Sequence, residues 1–125
     1  MHKSRLAGFI IDCNTDDLES AATFWGGALG MDVRALPEGQ EKYLRLVDPQ
    51  DRLQIEVQTV THPSRVHLDI ETDDIEAEVQ RLERLGAKRV QKIKTWWVME
   101  APTGQRFCVV RAKSASFAAE ARTWK

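Results

Sequence analysis

The sequence predicts an α+β fold: two βαβββ modules related by a pseudo-two-fold, their sheets curled into an open barrel or cleft with the helices outside. Three observations predict it: a gapless internal repeat, a capped helix behind each copy, and three strand-like runs after each helix. Residues 9–19 read Phe-Ile-Ile-Asp-Cys-Asn-Thr-Asp-Asp-Leu-Glu, and residues 66–76 read Val-His-Leu-Asp-Ile-Glu-Thr-Asp-Asp-Ile-Glu, identical at five of eleven positions. Self-similarity at this level marks one supersecondary unit used twice.

Each copy begins as a strand and turns into a helix. Asp16 and Asp73 are suitable N-caps, each with a glutamate three residues on (Glu19, Glu76), the capping-box arrangement. Ile75, Val79, Leu82 and Leu85 then form one apolar stripe, as do Leu18, Ala21, Ala22, Trp25 and Leu29 in the first copy. Gly30 and Gly86 suit the left-handed residue that ends a helix. Strand-like runs follow near 31–36, 42–47 and 53–60, and again near 88–93, 95–100 and 106–111. Asp48-Pro49-Gln50-Asp51 and Ala101-Pro102-Thr103-Gly104 are the turns between the later pairs. The modules therefore cover 6–60 and 64–112 within a single domain of 1–125. The tail, 114–125, reads as a third short helix with Phe117 and Trp124 on one face.

Composition narrows the function. The chain has 125 residues, enough for one domain with a real core. Lys plus Arg number 18 and Asp plus Glu 19, so the basic excess expected of a general nucleic-acid binder is missing. The apolar run at Leu6–Ile11 is shorter than a signal-peptide core and far short of a membrane span. Two cysteines without Cys-x-x-Cys spacing give no disulfide framework. The expectation is a cytoplasmic protein with neither nucleic acid nor membrane as partner.

Several short motifs, taken in order, resemble the vicinal-oxygen-chelate superfamily (glyoxalase/bleomycin resistance protein/dioxygenase), above all its small bacterial glyoxalase-like domains. They are Asp12-Cys13, Phe24-Trp25 and Leu29-Gly30 in the first half. In the second they are His67-Leu68-Asp69, Leu85-Gly86-Ala87 and Pro102-x-Gly104-x-x-Phe107-Cys108. The match spans about 6–111, and its order and spacing are more specific than any one motif. Ala101 departs from the family's usual Asp before the proline. The resemblance implies paired βαβββ modules around a cavity for a small molecule.

Strand alternation sorts the side chains. Phe9, Ile11, Leu53, Ile55, Val57, Val66, Leu68, Ile70, Phe107 and Val109 should lie under the helices. By elimination Asp12, Gln54, Glu56, His67, Asp69, Arg106 and Cys108 line the ligand cleft, together with Ile10 and Gln58. In the superfamily's metalloenzymes, ligands come from the first and last strands of each module. The resemblance carries those positions to Ile10, Gln54, His67 and Cys108, with Glu56 replacing Gln54 if that strand shifts by two. Ile10 cannot bind a metal, and Cys108 stands where an oxygen ligand is usual. No metal is therefore expected as cofactor; Zn²⁺ through His67, Cys108 and Gln54 is the form any metal would take.

The individual residues leave alternatives open. His67 is a metal ligand, a general base, or a cleft residue held by a neighbour. Asp12 and Asp69 bind a cationic or hydroxyl-bearing ligand, or anchor a helix or an arginine such as Arg106. Cys13 and Cys108 fit small apolar packing better than nucleophilic chemistry. His2 and His62 read as bystanders. Trp96 and Trp97 fall on opposite faces of one strand, one for the core and one for a ligand. The leading function is a glyoxalase-like domain binding a small organic molecule, with no reaction assigned. The alternatives are a metal-dependent lyase, isomerase or dioxygenase, and a metal-free acid–base enzyme using Asp12, His67 and Asp69. A homodimer is expected through the tail's aromatic pair.

Overall fold

The computed structural model describes residues 1–37, 40–50 and 52–125. The fold is α+β, with mixed sheet and three helices, and it divides into two compact units. One is Gly8–His67; the other joins Met1–Ala7 to Leu68–Lys125. The division falls inside two strands, β1 (His2–Cys13) and β5 (Arg65–Thr72).

In the unit Gly8–His67, the second half of β1 leads to α1 (Leu18–Leu29), then β2 (Asp32–Ala35), β3 (Tyr43–Val47) and β4 (Gln54–Thr59). The strand order is β2-β3-β4-β1; β4 runs parallel to β1 and the other pairs are antiparallel. The core forms beneath α1 from Ile11, Ala22, Leu46, Ile55 and Val57, with Phe9, Trp25 and Leu53 packed against them. Gly8 is required where it stands, because a Cβ there would lie 1.9 Å from the carbonyl oxygen of Gln54. The turn expected at 48–51 is organised by Asp48, whose carboxylate accepts from the backbone N–H of Gln50, Arg52 and Leu53. Asp51 itself lies outside the described residues.

In the other unit, β5 continues into α2 (Ile75–Arg84), β6 (Lys88–Ile93), β7 (Trp96–Glu100) and β8 (Arg106–Arg111). The order is β6-β7-β8-β5, again with the last strand parallel to the first. Val79, Leu82, Met99 and Val109 form this core, with Ile70, Trp97 and Phe107 packed on it. Trp97 is thus the core indole, and alternation sets Trp96 on the opposite face. Val66 and Leu68, expected under a helix, are 57% and 51% exposed. The short α2 packs over β6, β7 and β8, leaving the start of β5 outside its cover.

Both helix caps sit one residue later than the capping-box reading predicts. Asp17 accepts from the Ser20 N–H and Asp74 from the Ala77 N–H. The cause is the preceding threonine: Thr15 Oγ1 accepts from the Asp17 N–H and Thr72 Oγ1 from that of Asp74, each at 3.1 Å. This turn brings the second aspartate, not the first, to the helix end. Glu19 and Glu76 then lie in the first turn, favourable to the helix dipole but outside a capping box. Gly30 does end α1 in the left-handed region, at φ 70°.

The tail is not one helix. A single short turn, α3 (Phe117–Glu120), gives way to a strand, β9 (Arg122–Trp124), which pairs antiparallel with His2–Ser4. The side chains of Phe117 and Trp124 are used within the chain: Phe117 is buried, and Trp124 Nε1 donates to Ser4 Oγ. The ground for a tail-mediated dimer, a shared helical face, is therefore gone. Among the described residues, no helix is long and apolar enough to cross a membrane.

Candidate functional site

The sheet of the unit Gly8–His67 has a polar face opposite α1. Since Leu44, Leu46, Ile55, Val57, Phe9 and Ile11 turn toward the helix, alternation sends their neighbours the other way. The ladder then sets these neighbours in rows: Arg34, Arg45, Glu56 and Ile10 in one, and Tyr43, Gln58 and Asp12 in the next. Tyr43 Oη accepts from Gln58 Nε2 at 2.8 Å, and Arg45 Nη2 lies 3.3 Å from Glu56 Oε2.

Asp12 is the most deeply placed charge here, only 2% exposed. Its Oδ2 lies 2.7 Å from His67 Nδ1 and 3.9 Å from Arg65 Nε. Burying a carboxylate is costly without such partners. An ionised Asp12 can only accept, so the shared proton belongs to Nδ1, and in the neutral imidazole Nε2 is then the acceptor. This is the arrangement that orients a histidine for proton transfer or for metal ligation. Among the described residues, Asp12 Oδ1 is buried without a hydrogen-bond partner.

Along β5, His67 and Asp69 are two residues apart and share a face, and the β5–β8 ladder sets Cys108 opposite Asp69. His67, Asp69 and Cys108 each offer one ligand atom, all within 4.8 Å of one another. Cys108 therefore stands on the face of its own unit's sheet opposite α2, its neighbours Phe107 and Val109 turning toward the core. Cys13, by contrast, packs against the core of its own unit. Burial, and then the nearby Asp12 charge, push its thiol pKa up, against a hydrogen bond with Trp25 that lowers it. That is the environment of an inert thiol.

The remaining expected site residues are dispersed. Glu56 sits across from both Arg45 and Ile10, while Gln54 lies at the start of β4 beside Gly8. The registers assign the position equivalent to Cys108 to Gln58 and not to Gln54. Gln58 faces Asp12 as Cys108 faces Asp69, and Asp12 and Asp69 are matched in the repeat. Arg106 pairs with Glu100 across β7–β8, at 3.2 Å, instead of anchoring an aspartate. His62 is half-buried and bonded to the adjacent Pro63 carbonyl. His2 is no bystander: it is buried, with Nε2 2.8 Å from Glu78 Oε1.

Two βαβββ units, each with its last strand returning parallel beside its first, give the chain the fold of a glyoxalase-type domain. It belongs to the glyoxalase-like domain family, whose model matches residues 8–110. A search of curated proteins gives no match. Among solved structures it is similar to hypothetical protein BH1468 from Bacillus halodurans C-125, at 12% identity and TM-score 0.66, covering 90% of this chain and 97% of that one. It is similar also to methylmalonyl-CoA epimerase from Mycobacterium tuberculosis, at 16% identity and TM-score 0.64, covering 91% of each chain. A glyoxalase/bleomycin resistance protein/dioxygenase superfamily member from Vibrio splendidus 12B01 matches at 19% identity and TM-score 0.51, over 85% of this chain and 98% of that one.

Proposed function

We propose that this glyoxalase-like domain binds a small organic molecule on the polar sheet face, with the Asp12–His67 pair at the centre of the site. The observation that supports it is the hydrogen bond between His67 and a carboxylate only 2% exposed. A carboxylate this deeply placed is costly to bury, and its position on a face outside the core favours a ligand role. Asp12 would fix the ring, and His67 Nε2 would accept a proton or hydrogen bond from the ligand. We place the whole chain, 1–125, in this reading as one domain of two modules, acting in the cytoplasm. The test is ligand-observed NMR with a library of small carbonyl and hydroxyl compounds. Binders that lose contact in both Asp12→Asn and His67→Ala support the reading; binders indifferent to both substitutions remove it.

The cluster His67, Asp69 and Cys108 favours a second reading, a zinc site. Nitrogen, carboxylate and thiolate donors suit Zn²⁺ better than Mg²⁺ or Mn²⁺, and Asp12 behind His67 would be the usual outer carboxylate. Asp69 takes the place expected of Gln54 in that donor set. When bound, such an ion would polarise a ligand oxygen. Elemental analysis of the purified protein, repeated on Cys108→Ser, decides this reading: stoichiometric zinc lost in the variant supports it, and a zinc-free protein that gains no thermal stability on zinc addition refutes it.

A further inference from the structure

The row that carries Glu56 and Ile10 begins with two arginines side by side. Arg34 on β2 and Arg45 on β3 are direct Cα partners, both on the face opposite α1. Like charges directly opposite in an antiparallel pair are destabilising, so the fold gains nothing from this placement. Among the described residues the two charges are only partly matched, with one carboxylate partner for Arg45 and none for Arg34. Glu56, the next residue in the row, takes one nitrogen of Arg45 at 3.3 Å. The Arg45 Nε is buried and, among the described residues, has no hydrogen-bond partner; Arg34 makes no ion pair among them. Asp32 lies on the same face two residues along β2, and the row beside the arginines contains the neutral Tyr43 and Gln58, with Asp12 at its far end. A guanidinium with a buried, unmatched donor beside a second guanidinium is a fork suited to an oxyanion.

We propose that Arg34 and Arg45 form an anion subsite, so that the molecule bound on this face is an organic anion ending in a carboxylate or phosphate. The inference rests on the reading of this face as the ligand site and names the class of ligand. β3 and β1 are two strand spacings apart, about 10 Å. A short organic anion can therefore engage Arg45 at one end and reach the Asp12–His67 pair with the other. Glu56, between them, limits the subsite to one anionic group and holds Arg45 in place when it is empty.

The test titrates the full chain with malonate, inorganic phosphate and the neutral malonamide, followed by ¹⁵N–¹H NMR at low salt. Wild type should bind malonate or phosphate and not malonamide, with shifts centred on β2 and β3. Arg45→Gln and Arg34→Gln, each checked for an unchanged fold by circular dichroism, should weaken anion binding at least tenfold, and Arg45→Lys should recover only part of it. Tighter malonate assigns a carboxylate, tighter phosphate a phosphate ester. Anion binding unchanged in the Arg34→Gln/Arg45→Gln double variant, equal binding of malonamide, or no binding of either anion overturns the proposal. If uncharged compounds still bind in a His67-dependent way while both anions fail, the subsite alone is lost. If anions bind through Arg45 but no compound ever senses Asp12→Asn or His67→Ala, the Asp12–His67 reading is lost instead.

Discussion

The guanidinium of Arg81 lies over the ring of Trp124, its central carbon 3.9 Å from the ring centroid. The contact ties the end of β9 to α2, and the Trp124 indole also donates to Ser4 at 2.8 Å. Trp124→Ala should therefore destabilise the protein by about 2 kcal/mol, from lost packing and the cation–π contact. A chain ending at Lys113 should lose more, since Phe117 leaves the core as well. Urea denaturation followed by circular dichroism checks both; a truncated chain as stable as the full one would show the tail to be dispensable.

Arg81 meets Trp124 because its other partner holds it. Its Nε and Nη2 donate to the fully buried Glu78, which also meets His2. Burial alone would raise the Glu78 pKa, but the hydrogen bonds from Arg81, then His2 and Ser4, win and hold it below the ordinary glutamate value of 4.5. A depressed pKa means that the unfolded chain binds the proton more readily. The stabilisation is thus present above the ordinary glutamate range and is lost as pH falls through the lower, folded-state value. Glu78→Gln should cost about 3 kcal/mol at neutral pH, and the gap to wild type should shrink in melts run at increasingly acid pH.

Gly8→Ala should be the most damaging single-methyl change in the unit Gly8–His67. The new Cβ would meet backbone, not a flexible side chain, so β1 and β4 would have to separate at that point. A loss of about 2 kcal/mol or more is expected in thermal or urea unfolding. Gly27, where an added Cβ meets nothing within 4 Å, is the control: Gly27→Ala should be neutral or stabilising.

The Asp12–His67 bond should be visible in side-chain ¹⁵N–¹H spectra at neutral pH. In wild type the His67 ring should show the pattern of a proton on Nδ1. Asp12→Asn should disturb that pattern and increase exchange between tautomers, because an amide can donate as well as accept. An identical His67 pattern in both proteins would mean that Asp12 does not set the tautomer.

Much of this molecule was legible in its sequence because duplication supplied an internal check. Two copies of Thr-Asp-Asp located both helix starts, and the apolar stripes after them supplied members of both cores, Ala22 and Val79 among them, though Leu46 and Met99 were not foreseen. The one-residue error at the caps came from a local competition: either aspartate can cap, and the hydroxyls of Thr15 and Thr72 decide between them. The tail misled because spacing seven fits one face of a helix but says nothing of a neighbouring strand; Phe117 and Trp124 are separated by a change of structure at Ala121. Site residues were the hardest to read. Which of Gln54, Glu56 and Gln58 stands beside Asp12 depends on strand register, and register is fixed by packing across β1 and β4. His2 escaped notice because its partner, Glu78, lies on a helix remote in sequence.

The pairing of His2–Ser4 with Arg122–Trp124 bears on how the nascent chain matures. Gly8–Cys13 can find β4 once Thr59 has cleared the ribosome, since nothing later in the chain is needed for that ladder. The residues synthesised before them have no such early partner: His2 waits for Glu78, and Ser4 waits for Arg122. Contacts spanning nearly the whole chain form late, because the entropy of closing the loop must be met before they contribute. His2–Ser4 are therefore among the last residues to be secured, and until Arg122–Trp124 have been made they remain an uncovered strand end, open to chaperones and to mispairing.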